Sequence, residues 1–96
     1  MTPVVFTETA KDELAAALQF YGERSPMLAA RFAAEIDRAV AQIAATPQAW
    51  PSVTPRLRRY VLRQFPYLVL FRGDERGVLV AAIAHHRRDP ARWRQR

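Results

Sequence analysis

The residues best suited to proton transfer are two adjacent histidines, His85 and His86, near the C-terminal end of the chain. A histidine gains or loses a proton near neutral pH, so it can act as a general acid or base. Adjacent residues of a strand point to opposite faces, so we expect only one of the two to reach a given site. The pair does not predict a zinc site, because it has neither the spacing nor the further ligands that zinc requires.

Positive charge is concentrated in the second half of the chain, and almost all of it is arginine. Residues 56–96 contain eleven arginines against three acidic residues, a net charge of +8, whereas residues 1–55 contain four basic and six acidic residues. The planar guanidinium group binds phosphate or carboxylate through two hydrogen bonds and keeps its charge near pH 7. The asymmetry therefore predicts an anionic target or partner for the C-terminal half.

The length and composition predict a single globular domain spanning residues 1–96. Half of the residues are hydrophobic and a quarter are charged, which is typical of a folded protein with a modest core. The absence of cysteine excludes thiol catalysis and cysteine-ligated metals. The N-terminus lacks the pattern of a signal peptide, and no stretch is long and apolar enough to cross a bilayer. We therefore expect a cytoplasmic protein without membrane contact, cofactor or metal.

Helical spacing of apolar residues follows a short β-prone segment, Val4–Phe6. Thr7 is a suitable N-cap for a first helix, which the sequence predicts to end at Gly22. The Ser–Pro pair at residues 25–26 is typical of a second helix start, and the pair Thr46–Pro47 predicts its end. These signals predict a helical hairpin.

Beyond the helices, the hydrophobic pattern changes to that of strands. Residues 56–63 alternate as in a half-buried strand, Tyr67–Phe71 resembles a buried strand, and residues 78–84 are apolar almost throughout, as in a central strand. Gly73–Gly77 is predicted to form a hairpin loop. In the proline-rich loop before the strands, Trp50 is expected to plug the edge of the core. The order β-α-α-β-β-β predicts an α+β fold, with the helical hairpin on one face of a small antiparallel sheet and the arginines on the other face and the tail.

Two segments of the second half carry a family resemblance. Residues 65–72 read Phe-Pro-Tyr-Leu-Val-Leu-Phe-Arg, and residues 84–93 read Ala-His-His-Arg-Arg-Asp-Pro-Ala-Arg-Trp. Together with Phe6–Thr7 before an acidic, alanine-rich helix and a second helix ending in Ile43…Pro47, they resemble the RelE/ParE superfamily of toxins, often described as plasmid-stabilisation proteins. The resemblance covers nearly the whole chain. It implies a type II toxin–antitoxin system, a sheet flanked by two N-terminal helices, and a cognate antitoxin encoded by a neighbouring gene.

The superfamily has two main activities. RelE-like members cleave mRNA in the ribosomal A site, and ParE-like members poison DNA gyrase. Cleavage through attack by the 2′-hydroxyl group would need a base, an acid and cations around the phosphate. The residues of this chain that could supply them are His85, His86, Tyr60, Tyr67, Arg58, Arg63, Arg87 and Arg88.

Two residues favour the ParE-like branch, in which the toxin acts by binding. RelE-like toxins usually carry a tyrosine near the C-terminus, where this chain has Trp93, whose indole does not exchange a proton near neutral pH. They often carry a cation at the start of the third strand, where this chain has Tyr67. We therefore expect a gyrase inhibitor. A ribosome-dependent mRNA endoribonuclease is one alternative, and a non-enzymatic nucleic-acid-binding module, for which no groove-reading motif is visible, is another.

The interaction surface is expected on the exposed face of the sheet and the basic tail. The target- or antitoxin-binding residues would be Arg87, Arg88, Arg92 and Trp93, with Arg58, Arg63 and Tyr67 as further candidates for exposure on the working face. The antitoxin would offer carboxylates to the arginine pair at residues 87–88 and apolar side chains to a groove beside the helical hairpin. Toxin and antitoxin would form a hetero-oligomer.

Overall fold

A computed structural model describes residues 2–86 of the chain. The elements follow the expected order: β1 (Val4–Phe6), α1 (Glu8–Arg24), α2 (Pro26–Ala45), β2 (Arg58–Val61), β3 (Tyr67–Asp74) and β4 (Gly77–His85). The strands form one sheet in the order β1-β4-β3-β2. The helical turn expected after Pro90 lies outside the described residues. Within residues 2–86, no helix has the length and apolar character needed to cross a membrane.

Both helices begin at the expected caps, but the first is longer than its sequence predicts. The Thr7 hydroxyl accepts a hydrogen bond (3.1 Å) from a backbone N–H in the first turn of α1, and the Ser25 hydroxyl does the same for α2 (3.2 Å). Gly22 lies inside α1, which continues to Arg24. An interior glycine costs a helix about 1 kcal/mol relative to alanine but does not by itself end it. Ser25 is both the C-cap of α1 and the N-cap of α2, so a single residue connects the two helices of the hairpin.

The sheet is mixed rather than wholly antiparallel. β2 and β4 run antiparallel to β3 as expected, whereas β1 pairs in parallel with Val78–Val80 of β4. β1 therefore joins a strand far from it in sequence and leads directly into α1, which packs across β4. A three-residue strand carries no pattern that distinguishes parallel from antiparallel pairing, so only the packing of α1 determines its direction.

Two side chains of the first helix region complete the hydrogen bonding of β4. β1 covers only three residues of that strand, so the backbone beyond it has no neighbouring strand on that side. The Thr7 hydroxyl donates to the carbonyl oxygen of Ala81 (2.9 Å), and Glu13 Oε1 accepts from the N–H of Ile83 (2.9 Å). Ala81 is the extra residue where the β3–β4 register shifts, a β-bulge. The start of α1 is thereby attached to the irregular part of β4.

Both faces of the two inner strands are buried. The main core, between the sheet and the helices, includes Phe32, Ile36, Ile43, Val69, Phe71 and Val80. On the other face, Leu68, Leu70, Ala82 and Ala84 are at most 2% exposed and pack with Val53 of the preceding loop. The expectation that arginines occupy this face is therefore wrong at its centre, which is aliphatic; Arg59 and Arg72 lie around it.

The two edges of the sheet differ. The proline-rich loop covers the β2 edge, because Ser52 bridges to Arg58 and the Arg59 N–H donates to the Pro51 carbonyl oxygen (3.0 Å). In the described part of the chain, no strand lies beside the outer edge of β1. An uncovered edge presents backbone groups that can pair with another chain.

Candidate functional site

The two histidines lie closer together than strand alternation predicts. His85 is the last residue of β4 and His86 belongs to the following turn, so the alternation of side chains ends between them. Their ring centroids are 6.3 Å apart and their planes are inclined by 38°. The His86 N–H donates to the carbonyl oxygen of Pro66 (3.0 Å), which holds this end of β4 against the β2–β3 turn. Both imidazoles therefore occupy one region, contrary to the expectation of opposite faces.

Tyr67 lies in the core and is only 7% exposed. Its ring packs edge-on against Phe32 (5.2 Å between centroids) and against His85 (5.0 Å), in a group that also contains Tyr21 and Phe65. Such edge-to-face pairs contribute about 0.5–1.5 kcal/mol beyond their burial. The expectation that Tyr67 is exposed on a working face is therefore wrong, and it acts as a strand aromatic within the core.

Arg58 is half-buried and holds the loop that precedes β2. Its guanidinium group donates to the carbonyl oxygen of Trp50 (2.6 Å) and to Gln48 Oε1 (3.1 Å). The Trp50 indole packs edge-on against Tyr60 at 4.8 Å, as expected of a plug at the core edge. The buried Tyr60 hydroxyl lies 3.2 Å from Gln42 Oε1 and donates to it. The side chains of Arg58 and Tyr60 therefore stabilise the proline-rich loop and its packing against the start of β2.

Arg63 is exposed, and its backbone is tied to the second helix. Glu35, which is 7% exposed, accepts hydrogen bonds from the backbone N–H groups of Arg63 and Gln64. The carboxylate thus links α2 to the β2–β3 turn. The Arg63 side chain itself is open to solvent, as expected.

Arg58 and the two histidines lie at different ends of the sheet. Arg58 pairs with Phe71 of β3, whereas His85 pairs with Tyr67, four residues away on the same strand. At about 3.3 Å per residue, that separation is roughly 13 Å. Arg63, in the turn after β2, shares the histidine end. Among the described residues, the fold therefore does not bring Arg58 and His85 to one phosphate group.

The residues expected to bind the target or the antitoxin lie outside the described residues: Arg87, Arg88, Arg92 and Trp93. Two of them, Arg87 and Arg88, are also candidates for catalysis. Within residues 2–86, no group of three or more His, Cys, Asp or Glu side chains is arranged to hold a metal ion.

An apolar groove lies where the helical hairpin meets the open edge of the sheet. Its volume is about 540 Å³, and its lining includes Val4 of β1 and Val40, Ala41, Ala44 and Ala45 of α2, with Asp37 as its one acidic residue among those described. The small alanine side chains leave this part of α2 uncovered. The groove lies beside the helical hairpin, where the sequence predicts apolar contacts with an antitoxin.

A family model for the ParE toxin of the type II toxin–antitoxin system, parDE, matches residues 4–90. The chain belongs to the ParE toxin family. A solved chain from the "Chromosomal ParDE TA system from P. aeruginosa" resembles this ParE-family toxin with a TM-score of 0.67, covering 88% of this chain and 96% of that chain. The two are 23% identical, so the likeness shows a common fold. No curated protein matches the chain in sequence.

Two acidic residues of this ParE-family toxin have roles that sequence analysis did not predict. Glu13 follows Ala10 by three residues and Glu35 follows Phe32 by three, so each carboxylate lies at helical spacing from a fully buried side chain. A carboxylate on the apolar side of a helix requires a hydrogen-bonding partner, because burying it without one is costly. The position of each glutamate on the apolar side of its helix could have predicted a buried hydrogen bond, but it does not identify the group that donates it.

Proposed function

We propose that this ParE-family toxin arrests growth by binding and inhibiting DNA gyrase, without chemistry of its own. The observation that carries the proposal is the dispersal of the candidate catalytic residues. The Arg58 guanidinium holds a loop, Tyr67 lies in the core, and roughly 13 Å of strand separates the Arg58 pairing position from that of His85. Phosphoryl transfer needs its acid, base and cations around one phosphate group. A fold that uses these residues for packing favours action by binding.

The test compares the two targets with the same purified toxin. We expect the toxin to stop supercoiling of relaxed plasmid by gyrase and to leave ribosome-bound mRNA intact. Cleavage of mRNA in the A site with supercoiling unaffected would identify a RelE-like endoribonuclease instead. Binding to nucleic acid with neither effect would identify a non-enzymatic binding module.

The endoribonuclease is the second candidate because His85, His86 and Arg63 share one end of the sheet. His86→Gln separates the two functions, since glutamine keeps hydrogen-bonding groups but does not exchange a proton near neutral pH. We expect the variant to inhibit gyrase as the wild type does. If the wild-type toxin cleaves mRNA and His86→Gln does not, the result would favour the endoribonuclease.

We also propose that a cognate antitoxin neutralises the toxin by occupying the apolar groove between β1 and α2. The groove provides apolar contacts, and the open β1 edge beside it provides backbone groups to an extended segment. Contacts with the antitoxin or the target are also proposed for four residues of the basic tail: Arg87, Arg88, Arg92 and Trp93. We expect an equimolar amount of antitoxin to restore gyrase supercoiling in the assay above. Persistent inhibition in the presence of a stable complex would contradict neutralisation.

A further inference from the structure

A small polar cleft lies at the corner where the proline-rich loop meets β2 and β3. Its volume is about 220 Å³, and Arg56, Arg58 and Arg72 line it together with Ser52 and Thr54. No acidic side chain is among the described residues that line it. Within residues 2–86, no carboxylate forms a salt bridge with any of the three arginines. The three arginines of the cleft are therefore not neutralised by direct ion pairs among the described residues.

One arginine of the cleft and the backbone of its turn are held in place before any ligand binds. The hydrogen bonds from Arg58 to Trp50 and Gln48 fix its guanidinium group and use two of its five donors. The Thr54 hydroxyl accepts hydrogen bonds from the N–H groups of Arg56 (3.1 Å) and Leu57 (3.0 Å), which fixes the turn carrying Arg56. A preformed site loses less conformational entropy on binding than a flexible one.

We propose that this arginine cleft binds a backbone phosphate of duplex DNA. Guanidinium groups bind phosphate oxygens through paired, charge-assisted hydrogen bonds. The volume of about 220 Å³ is smaller than the roughly 300–1,000 Å³ of sites for whole organic ligands, so the cleft fits a small anionic group on a larger molecule. The choice of DNA over other nucleic acids rests on the proposed function, because gyrase holds duplex DNA.

The lining favours nucleic acid over an acidic peptide. A peptide that becomes ordered on binding must bury apolar side chains to offset its loss of entropy. The arginine cleft is mainly polar, whereas the groove between β1 and α2 is mainly apolar. The two surfaces therefore suit different partners. The cleft also lies at the Arg58 end of the sheet, away from the histidines.

The test measures binding of the purified toxin to a short fluorescein-labelled duplex by anisotropy over a range of salt concentrations. We expect Arg56→Gln/Arg72→Gln to weaken binding roughly tenfold or more, and to reduce the slope of log K against log[salt] by about one, because one phosphate contact is lost. Arg31→Gln/Arg38→Gln is the matched control, because it removes two exposed arginines from α2, outside the cleft. We expect this control to retain the salt slope and lose less than about threefold in affinity.

A second variant, Arg56→Lys/Arg72→Lys, keeps the charge but removes the paired donors, and we expect an intermediate loss of affinity. Thermal unfolding checks that each variant is folded. Equal losses in the cleft and control variants would overturn the proposal in favour of overall charge. Unchanged DNA binding with weakened antitoxin binding would overturn it in favour of an acidic peptide, and a loss confined to a single-stranded RNA probe would overturn the choice of DNA.

The outcomes separate this inference from the proposed function. A toxin that binds DNA through the cleft but leaves supercoiling unchanged would contradict gyrase inhibition alone. A toxin that stops supercoiling while Arg56→Gln/Arg72→Gln binds DNA normally would contradict the cleft alone.

Discussion

Glu35 connects the second helix to the turn that leads into β3. Its carboxylate accepts hydrogen bonds from two consecutive backbone N–H groups, those of Arg63 and Gln64. The same turn contains Pro66, whose carbonyl oxygen accepts the N–H of His86. One buried side chain on α2 therefore stabilises the turn against which the end of β4 is held.

Glu35→Ala should lower the free energy of unfolding by about 2–4 kcal/mol, because it leaves two backbone donors without their charged acceptor. Glu35→Gln keeps one acceptor oxygen and should lose less. Urea unfolding measures both. Glu23→Ala, at an exposed position of α1, is the control and should change stability by no more than about 0.5 kcal/mol. A loss in Glu35→Ala no larger than in the control would contradict this role.

Arg58 and Tyr67 have side chains suited to catalysis, but the structure uses them for packing and for holding a loop. Residue type limits which chemistry is available, whereas contacts with distant residues decide whether it is used. The two histidines also depend on their structural context: β4 ends at His85, so His86 does not follow the alternation of a strand.

Among the helices and strands, two glycines differ in whether the structure has room for a side chain at their position. Gly22 lies within α1, where an added Cβ would be 3.7 Å from the Ala29 Cβ, an ordinary van der Waals distance. Gly73 lies in β3 near the hairpin turn, where an added Cβ would be 2.8 Å from the Gly77 carbonyl oxygen and 2.9 Å from Val78 Cγ2. One site has room for a methyl group and the other does not.

Gly22→Ala should therefore stabilise the protein by about 0.5–1 kcal/mol through helix propensity. Gly73→Ala should destabilise it by about 1–3 kcal/mol, because the β3–β4 hairpin must move apart. Thermal unfolding of the two variants beside the wild type measures both effects. Shifts of the melting temperature in the same direction would contradict the assignment.

The two edges of the sheet differ in whether a strand of another chain can pair with them. The proline-rich loop, held by Arg58, covers β2, whereas β1 has no strand on its outer side among the described residues. The cover at β2 also forms part of the arginine cleft, so one loop both protects a strand edge and shapes a charged surface.

At the scale of the whole molecule, surfaces of different character lie on different sides. The apolar groove lies between β1 and α2, and the arginine cleft lies at the β2–β3 corner, at the opposite edge of the sheet. This separation would allow the antitoxin and an anionic target to be recognised by different chemistry. The aliphatic second core, which includes Leu68 and Leu70, lies between the two edges.

Ala41→Glu should weaken antitoxin binding roughly tenfold or more, because it places a second carboxylate, besides Asp37, in a mainly apolar groove where it would lose hydration on binding. The position is exposed in the free toxin, so the fold should tolerate the change. Isothermal titration calorimetry with the antitoxin measures the effect. Ala30→Glu, at an exposed position of the same helix that does not line the groove, should bind as the wild type does. Equal affinities for the two variants would place the antitoxin elsewhere.

The parts of this toxin that depend on interactions over a few residues could be predicted from its sequence. The caps at Thr7 and Ser25, the two helices, and the buried strands predicted at Tyr67–Phe71 and residues 78–84 follow from spacing and residue type. The predicted loop Gly73–Gly77 is too long, because both strands continue into it and leave a turn of two residues. The family was also predictable, because its motifs are continuous segments, and the match to residues 4–90 confirms it. Helix capping and hydrophobic periodicity act over a few residues and can be recognised in a linear sequence.

Tertiary packing determines the direction of β1, the aliphatic second core, and the uses of Arg58 and Tyr67. Each depends on contacts between residues far apart in the chain, such as the hydrogen bond between Glu13 and Ile83, seventy residues away. A backbone group that lacks a strand partner must find another acceptor or donor, and the nearest one is set by how the helices pack on the sheet. Residue type shows which groups can make such bonds, and packing alone determines which of them meet.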